Sequence, residues 1–157
     1  MVFLSDYFVR AGFVTLRMDL PGSGQSSGVL ALDAEKNFKA VISDFLVRSE
    51  IRFPKVMAIG ISLGAYWMIR TMAVDDSFAG GIGISIPVFH QEQWDSLEED
   101  TWSVFQRCFR QPTLEMTRAI ATKMTLYGIA DKVRSPLLAF HGGKDTVSHP
   151  DSPGILQ

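Results

Sequence analysis

A single cysteine, Cys108, is the only thiol in this sequence, so the chain cannot form an internal disulfide. The three histidines and this thiol do not have the spacing of zinc ligands, so we expect neither a metal nor a cofactor. Such sparing use of cysteine is typical of a reducing compartment, and we expect a cytoplasmic protein. The apolar start at 1–7 is too short for a signal peptide or a membrane span, and we expect no membrane association.

Runs of basic residues are also absent, and the formal net charge is −2. Binding to a phosphate backbone requires a cluster of lysine and arginine, so we expect no nucleic acid partner. The 157 residues are 46% hydrophobic and 20% charged, which is ordinary for globular proteins. These values predict one domain over 1–157 with one hydrophobic core, and they leave a homodimer open.

Strand and helix patterns alternate along the first half of the chain. Residues 1–11 read as the end of a helix, and the apolar run 13–18 has the length and branching of a strand. Turn-forming residues occupy 19–26. Apolar residues then recur at helical spacing over 38–46, and we expect Asp33 to cap that helix.

The alternation continues to the end of the sequence with one interruption. The run 56–59 is too continuously apolar for a half-exposed strand, and it predicts a parallel strand covered on both faces. A buried helix is expected at 65–73, and further strands are expected at 80–86 and 137–140. Residues 88–128 show only helical spacing, with aromatic residues typical either of core helices or of a lid over a pocket. The pattern predicts an α/β fold in which helices flank a mainly parallel sheet, with a short helical lid insertion at 88–128.

A Gly-x-Ser-x-Gly motif at 60–64 lies between a predicted strand and a predicted helix. A serine that attacks a substrate must stand on a sharp turn, and Gly60 and Gly64 supply the small residues that crowded backbones require there. The backbone N–H of Leu63 would then lie at a helix start, where it can donate to a developing oxyanion. The motif therefore predicts Ser62 as a nucleophile. A glycine-rich structural turn or a phosphate loop is the alternative.

Asp145 follows the strand expected at 137–140, where parallel sheets gather catalytic groups. It is a candidate acid that would orient and charge-stabilise a histidine, and a turn or capping residue is the alternative. We identify no triad histidine. His141 precedes Asp145 at the rim of the strand, and His90 lies where the insertion begins. His149 is a weak candidate base, and the sequence favours a surface loop histidine at this position.

The segments 19–26, 60–64 and 141–145 together resemble the α/β-hydrolases in order and approximate spacing. The helical insertion is similar to that of the branch with the fermentation-respiration switch (FrsA-like) proteins, the pseudooxynicotine hydrolases and the fungal pigment hydrolases that shorten polyketides. This resemblance implies hydrolysis of an ester, a thioester or a ketone carbon–carbon bond in a small-molecule substrate without a cofactor. It implies Ser62 as the nucleophile and Asp145 as the acid.

The sequence departs from this resemblance in two places. Members of the family have a strand between those matching 13–18 and 56–59, with a loop that supplies the second oxyanion donor, and a last strand followed by the histidine. Neither is found here, so we expect a truncated, partial α/β-hydrolase domain that is weakly active or inactive. We also expect its sheet to have a central gap or two strands forced together, with exposed apolar edges. The alternative is a non-catalytic binding or interaction module on a hydrolase scaffold.

Overall fold

Helices and parallel strands alternate along much of the chain. The computed structural model describes residues 2–53, 55–89, 91–145, 147–148 and 154. A 3₁₀ turn at Ala130–Lys132 precedes the last strand. The elements are α1 (Val2–Arg10), α2 (Glu35–Leu46), β1 (Val56–Ile61), α3 (Leu63–Met72), β2 (Phe78–Ile84), α4 (Gln91–Ser96), α5 (Glu99–Phe109), α6 (Leu114–Ala121) and β3 (Leu137–Phe140).

The three strands form one parallel sheet in the order β1-β2-β3. At their carboxyl ends Ile61 pairs with Ile84, and Ile84 pairs with Phe140. The residues that follow each strand therefore leave the sheet along the same edge, which is where parallel sheets place their functional groups. The prediction of a mainly parallel α/β fold is confirmed.

Helix α3 is the centre of the hydrophobic core. It packs against β1 and β2 on one side and against α2 on the other, so almost all of its side chains are buried. Arg70 of α3 forms a two-point ion pair with Glu35 of α2, with N–O distances of 2.9 and 3.0 Å. A planar guanidinium matches a carboxylate in this geometry, so the pair fixes α2 against α3.

The strand predicted at 13–18 is absent, and this prediction was wrong. Residues 13–20 are assigned to no helix or strand, and Phe13 and Val14 are 61% and 60% exposed. A β-strand is stabilised by a neighbouring strand, and in the described part of the chain no strand pairs with this segment. Among the described residues β1 is therefore an edge strand, and neither the expected central gap nor two strands forced together is observed.

Two other predictions need correction. The sheet is covered by a helix on one face only in the described part of the chain, because Met57, Leu138 and Phe140 are each more than half exposed. β1 is therefore half-exposed and not covered on both faces. Asp33 does not cap α2, which begins after Ala34 without a side-chain cap; the Asp33 carboxylate instead pairs with Lys36 at 2.8 Å.

The segment 88–128 forms the helices α4, α5 and α6, in agreement with its helical spacing. Trp94, Trp102 and Phe105 are each about 3% exposed, and their rings contact one another. These aromatic residues belong to the same hydrophobic core as α3, because the ring of Phe89 contacts Tyr66 as well as Trp94 and Phe105. No helix in the described ranges is long and apolar enough to span a bilayer.

Gly60 is the point where β1 and α3 approach most closely. A Cβ atom at Gly60 would lie 2.5 Å from the Ala65 Cα atom and 2.7 Å from its nitrogen, which is closer than real Cβ contacts. A Cβ atom at Gly64 would meet nothing within 4 Å. The prediction that the turn needs a small residue is therefore confirmed at Gly60. At Gly64 the prediction was wrong, because no described atom occupies the space that a side chain would need.

We expect Gly60→Ala to destabilise the protein by about 1–3 kcal/mol, because the new methyl group overlaps a backbone that cannot move independently of α3. Gly64→Ala is the matched control and should stabilise it by about 0.5–1 kcal/mol, since alanine favours a helix. Urea unfolding of both variants measures these changes. Equal effects at the two positions would contradict the close approach at Gly60.

Candidate active site

Ser62 occupies a sharp turn between β1 and α3. Its backbone dihedrals are φ 50° and ψ −125°, outside the regions that residues with a side chain ordinarily adopt. The turn is held on both sides: the Ser62 N–H donates to the Ile84 carbonyl at 2.8 Å, and its own carbonyl accepts from Ala65 and Tyr66 N–H groups. Such strain persists only where the surrounding structure enforces it.

A cavity of about 310 Å³ opens beside this turn. Ser62 and Leu63 line it, together with four residues of α5. Its volume is at the lower end of the range for small-molecule sites, and its lining is mostly apolar. Asp100 is the one ionisable side chain among the described lining residues, which are Ser62, Leu63, Pro87, Phe89, Leu97, Asp100, Thr101, Val104, Phe105 and Val147.

The Asp145 carboxylate lies in a loop after β3, at the same edge of the sheet as Ser62. Its Oδ1 atom accepts hydrogen bonds from the Val147 and Ser148 N–H groups, each at 2.9 Å. Partial burial raises the pKa of this carboxyl. The two N–H donors, the Ser85 hydroxyl and His141 lower the pKa by more than burial raises it, so the net pKa lies below its ordinary value. Asp145 is therefore held in its ionised form.

His141 supports this loop and is not among the described residues that line the cavity. Its Nε2 atom is 2.8 Å from the Ser148 carbonyl oxygen and 4.0 Å from Asp145 Oδ2. The hydrogen bond to a carbonyl requires a proton on Nε2, and Nδ1 is buried without a partner in the described part of the protein. His90 and the weak candidate His149 lie outside the described residues.

Gln93 of α4 is a site residue that the sequence did not indicate. Its side chain is buried, accepts from the Phe89 N–H at 2.8 Å, and donates to the Val147 carbonyl at 2.8 Å. Phe89 and Val147 both line the cavity. A glutamine in a short helical segment carries no distinctive pattern, so only the three-dimensional arrangement reveals these contacts.

Comparison with known proteins shows which fold this site belongs to. No protein-family model and no curated protein matches the sequence. Among solved structures, AbyA5 matches with a TM-score of 0.84 at 20% identity, over 96% of this chain and 44% of that one. The 2,6-dihydroxy-pseudo-oxynicotine hydrolase matches with a TM-score of 0.73 at 23% identity, over 83% of this chain and 38% of that one.

This chain has a partial α/β-hydrolase fold. The acylaminoacyl peptidase of Pyrococcus horikoshii shares this fold more distantly, with a TM-score of 0.58 at 17% identity, over 78% of this chain and 20% of that one. The chain spans less than half the length of the solved structures it matches. Within the α/β-hydrolase fold, Ser62 stands at the strand-to-helix turn where the sequence motif predicted it.

Because Ser62 has a positive φ, we expect Ser62→Gly to be more stable than Ser62→Ala by about 1 kcal/mol. In an unstrained turn the order would be reversed, since glycine loses more backbone entropy on folding. Thermal and urea unfolding of the two variants measure the difference. A less stable glycine variant would show that the strained turn does not form in solution.

Asp145 should make the protein sensitive to acid. Its pKa is lower in the folded state than in the unfolded chain, so its ionised form stabilises the fold above the unfolded pKa, and this contribution is lost as the pH falls through the folded pKa. We expect the unfolding free energy of Asp145→Asn to fall less steeply than that of the wild type between about pH 5 and pH 3. Asp44→Asn, which removes an exposed carboxylate on α2, is the charge-matched control, and an equal flattening in this variant would contradict the role of the Val147 and Ser148 hydrogen bonds.

Proposed function

We propose that this chain carries the nucleophile and acid of a serine hydrolase, which cleaves an ester, a thioester or a ketone carbon–carbon bond in a small organic substrate. The observation that carries the proposal is the strained turn that presents Ser62 beside an apolar cavity. Strained backbone of this kind is concentrated at functional sites.

In the proposed reaction the Ser62 hydroxyl attacks the substrate carbonyl carbon and loses its proton to a base. The negative charge that develops on the carbonyl oxygen is stabilised by the Leu63 N–H, which lies in the first turn of α3 and has no partner within that helix. Collapse of this intermediate expels an alkoxide, a thiolate or a stabilised carbanion, and water then releases the acyl group from Ser62. Each leaving group accepts the proton that the base removed.

Asp145 would orient the base and stabilise its positive charge, as the acid of a triad does. Its lowered pKa keeps it ionised for this role. No histidine is among the described residues that line the cavity. His149 therefore stays a prediction for the base, and its position lies outside the described residues.

The cavity favours a small, largely apolar acyl group. Phe89, Leu97, Val104 and Phe105 supply flat and branched apolar surface around Ser62. Cavities with this lining bind ligands through burial of apolar surface, with a few polar groups fixing their orientation. The structural neighbour named for 2,6-dihydroxy-pseudo-oxynicotine supports a small organic substrate.

A non-catalytic binding module is the second candidate function. The observation in its favour is that Asp145 Oδ1 already accepts two N–H groups of its own loop. This arrangement is an ordinary turn-stabilising role for aspartate, so the residue has a structural use even without a histidine partner. The same apolar cavity would then bind its ligand without turnover.

A fluorophosphonate probe tests the proposed nucleophile. We expect it to modify Ser62 in preference to the other serines, as mapped by peptide mass spectrometry, because Ser62 alone among the serines that the structure describes combines strain, an adjacent cavity and a helix start. Ser62→Ala should remove the labelling, whereas Ser43→Ala, an exposed serine on α2, should not. The probe should be applied to the 157-residue chain and to any longer natural protein that contains it. Indiscriminate labelling of serines in both would refute the assignment and favour the binding module.

Turnover is a separate expectation. We expect the 157-residue chain to hydrolyse p-nitrophenyl esters weakly or not at all, because removal of a base or of an oxyanion donor slows such enzymes by roughly a hundredfold or more. Robust hydrolysis that Ser62→Ala abolishes would show that the chain contains a working base, and the proposed position of that base would then need revision.

A further inference from the structure

Helix α4 contacts the loop that carries the proposed acid. We call Asp145, Val147 and Ser148 the acid loop. We propose that Gln93 of α4 is a positioning residue that fixes the acid loop against the cavity wall. The inference rests on the proposed function, because it assigns a role relative to the acid of that reaction.

The contacts of Gln93 link two separate chain segments. Its Nε2 donates to the Val147 carbonyl, and its Oε1 accepts from the Phe89 N–H, both at 2.8 Å. The side chain is only 2% exposed, so water cannot replace either bond if the glutamine is removed. Leaving buried backbone groups unpaired is unfavourable, so this amide contributes to holding the two segments together.

The effect on the acid passes through one peptide unit. The N–H of Ser148 donates to Asp145 Oδ1, while the carbonyl of Val147, which belongs to the same peptide unit, accepts from Gln93. A peptide unit is planar, so fixing the Val147 carbonyl restricts rotation of the whole unit and keeps the Ser148 N–H directed at the carboxylate. Gln93 thereby acts on Asp145 without touching it.

The other contact of Gln93 is with a strained residue of the cavity wall. Phe89 has a φ of 58°, and its ring stacks on Trp94 at 4.3 Å. A positive φ in a bulky residue has to be enforced by its surroundings, and the hydrogen bond to Gln93 does so. The Gln93 side chain therefore contacts both the Phe89 backbone at the cavity wall and the acid loop.

Two further contacts hold the acid loop at other atoms. His141 Nε2 donates to the Ser148 carbonyl, and the Ser148 hydroxyl donates to the Ser85 carbonyl at 3.0 Å. Ser85 directly follows β2, and His141 directly follows β3. His141 is the titratable side chain that faces Asp145 in the described structure, at 4.0 Å. Gln93 is the contact that comes from the helical insertion.

Two variants at position 93 and one control test the role of the amide. Gln93→Met preserves the size of the side chain and removes both hydrogen bonds. Gln93→Glu, once ionised, keeps an acceptor for Phe89 but has no donor for Val147. Gln106→Met on α5 is the matched control, because Gln106 also donates to a backbone carbonyl, that of Gln111.

The measurements are the Asp145 carboxyl pKa, from carbon-13 chemical shifts assigned with Asp145→Asn, and amide hydrogen exchange. We expect Gln93→Met to raise the Asp145 pKa toward its ordinary value by about half a unit, because its N–H donors become less well fixed. It should also speed exchange of the Val147 and Ser148 amides by roughly fivefold. Gln93→Glu at pH 8 should speed exchange at Ser148 while the Phe89 amide stays protected.

An unchanged Asp145 pKa and unchanged exchange in Gln93→Met would overturn the proposal. So would equal changes in Gln106→Met, because they would indicate general loosening. If Gln93→Met does not fold, Gln93→Glu replaces it: faster exchange in the acid loop with a protected Phe89 amide supports the proposal, and unchanged exchange in the acid loop overturns it. These readouts need no turnover, so failure of Ser62 labelling would remove the proposed function while Gln93 is judged separately.

Discussion

The close approach of β1 and α3 at Gly60 is the constraint on which the site depends. The backbone of Ala65 occupies the space that a side chain at this position would need, so the strand can pass into the helix only through a very tight turn. That turn forces Ser62 to a positive φ and places this residue at the cavity. The geometry of the candidate nucleophile is thus a property of backbone packing, and the serine hydroxyl itself contributes little to it.

Features that depend on neighbouring residues in the sequence were predictable. The strand at 137–140 was predicted at the bounds the structure shows, and the helix start after Ser62 followed from the glycine motif. The strand at 13–18 was not predictable in this way, because its propensity is realised only if a partner strand offers hydrogen bonds. Local propensity indicates which segments can be extended, and tertiary contacts decide which of them become strands.

The candidate site shows the same division. Ser62 and Asp145 were indicated by motifs, since each belongs to a short run with characteristic neighbours. The supporting contacts of Gln93 and His141 could not be foreseen, because they join residues 54 and 7 positions apart to backbone atoms, which have no sequence signature. Backbone carbonyls and amides are present at every residue, so their use as partners depends on the fold alone.

The aromatic stack of the insertion gives this protein an internal optical reporter. Trp94 and Trp102 are two of its three tryptophans, and the ring of Phe89 separates the first of them from the cavity by a single stacked layer. Indole emission responds to the polarity and quenching of its immediate surroundings. Ligands that displace water from the Phe89 wall will therefore change the intrinsic fluorescence, so occupancy of the cavity can be followed without a substrate that reacts.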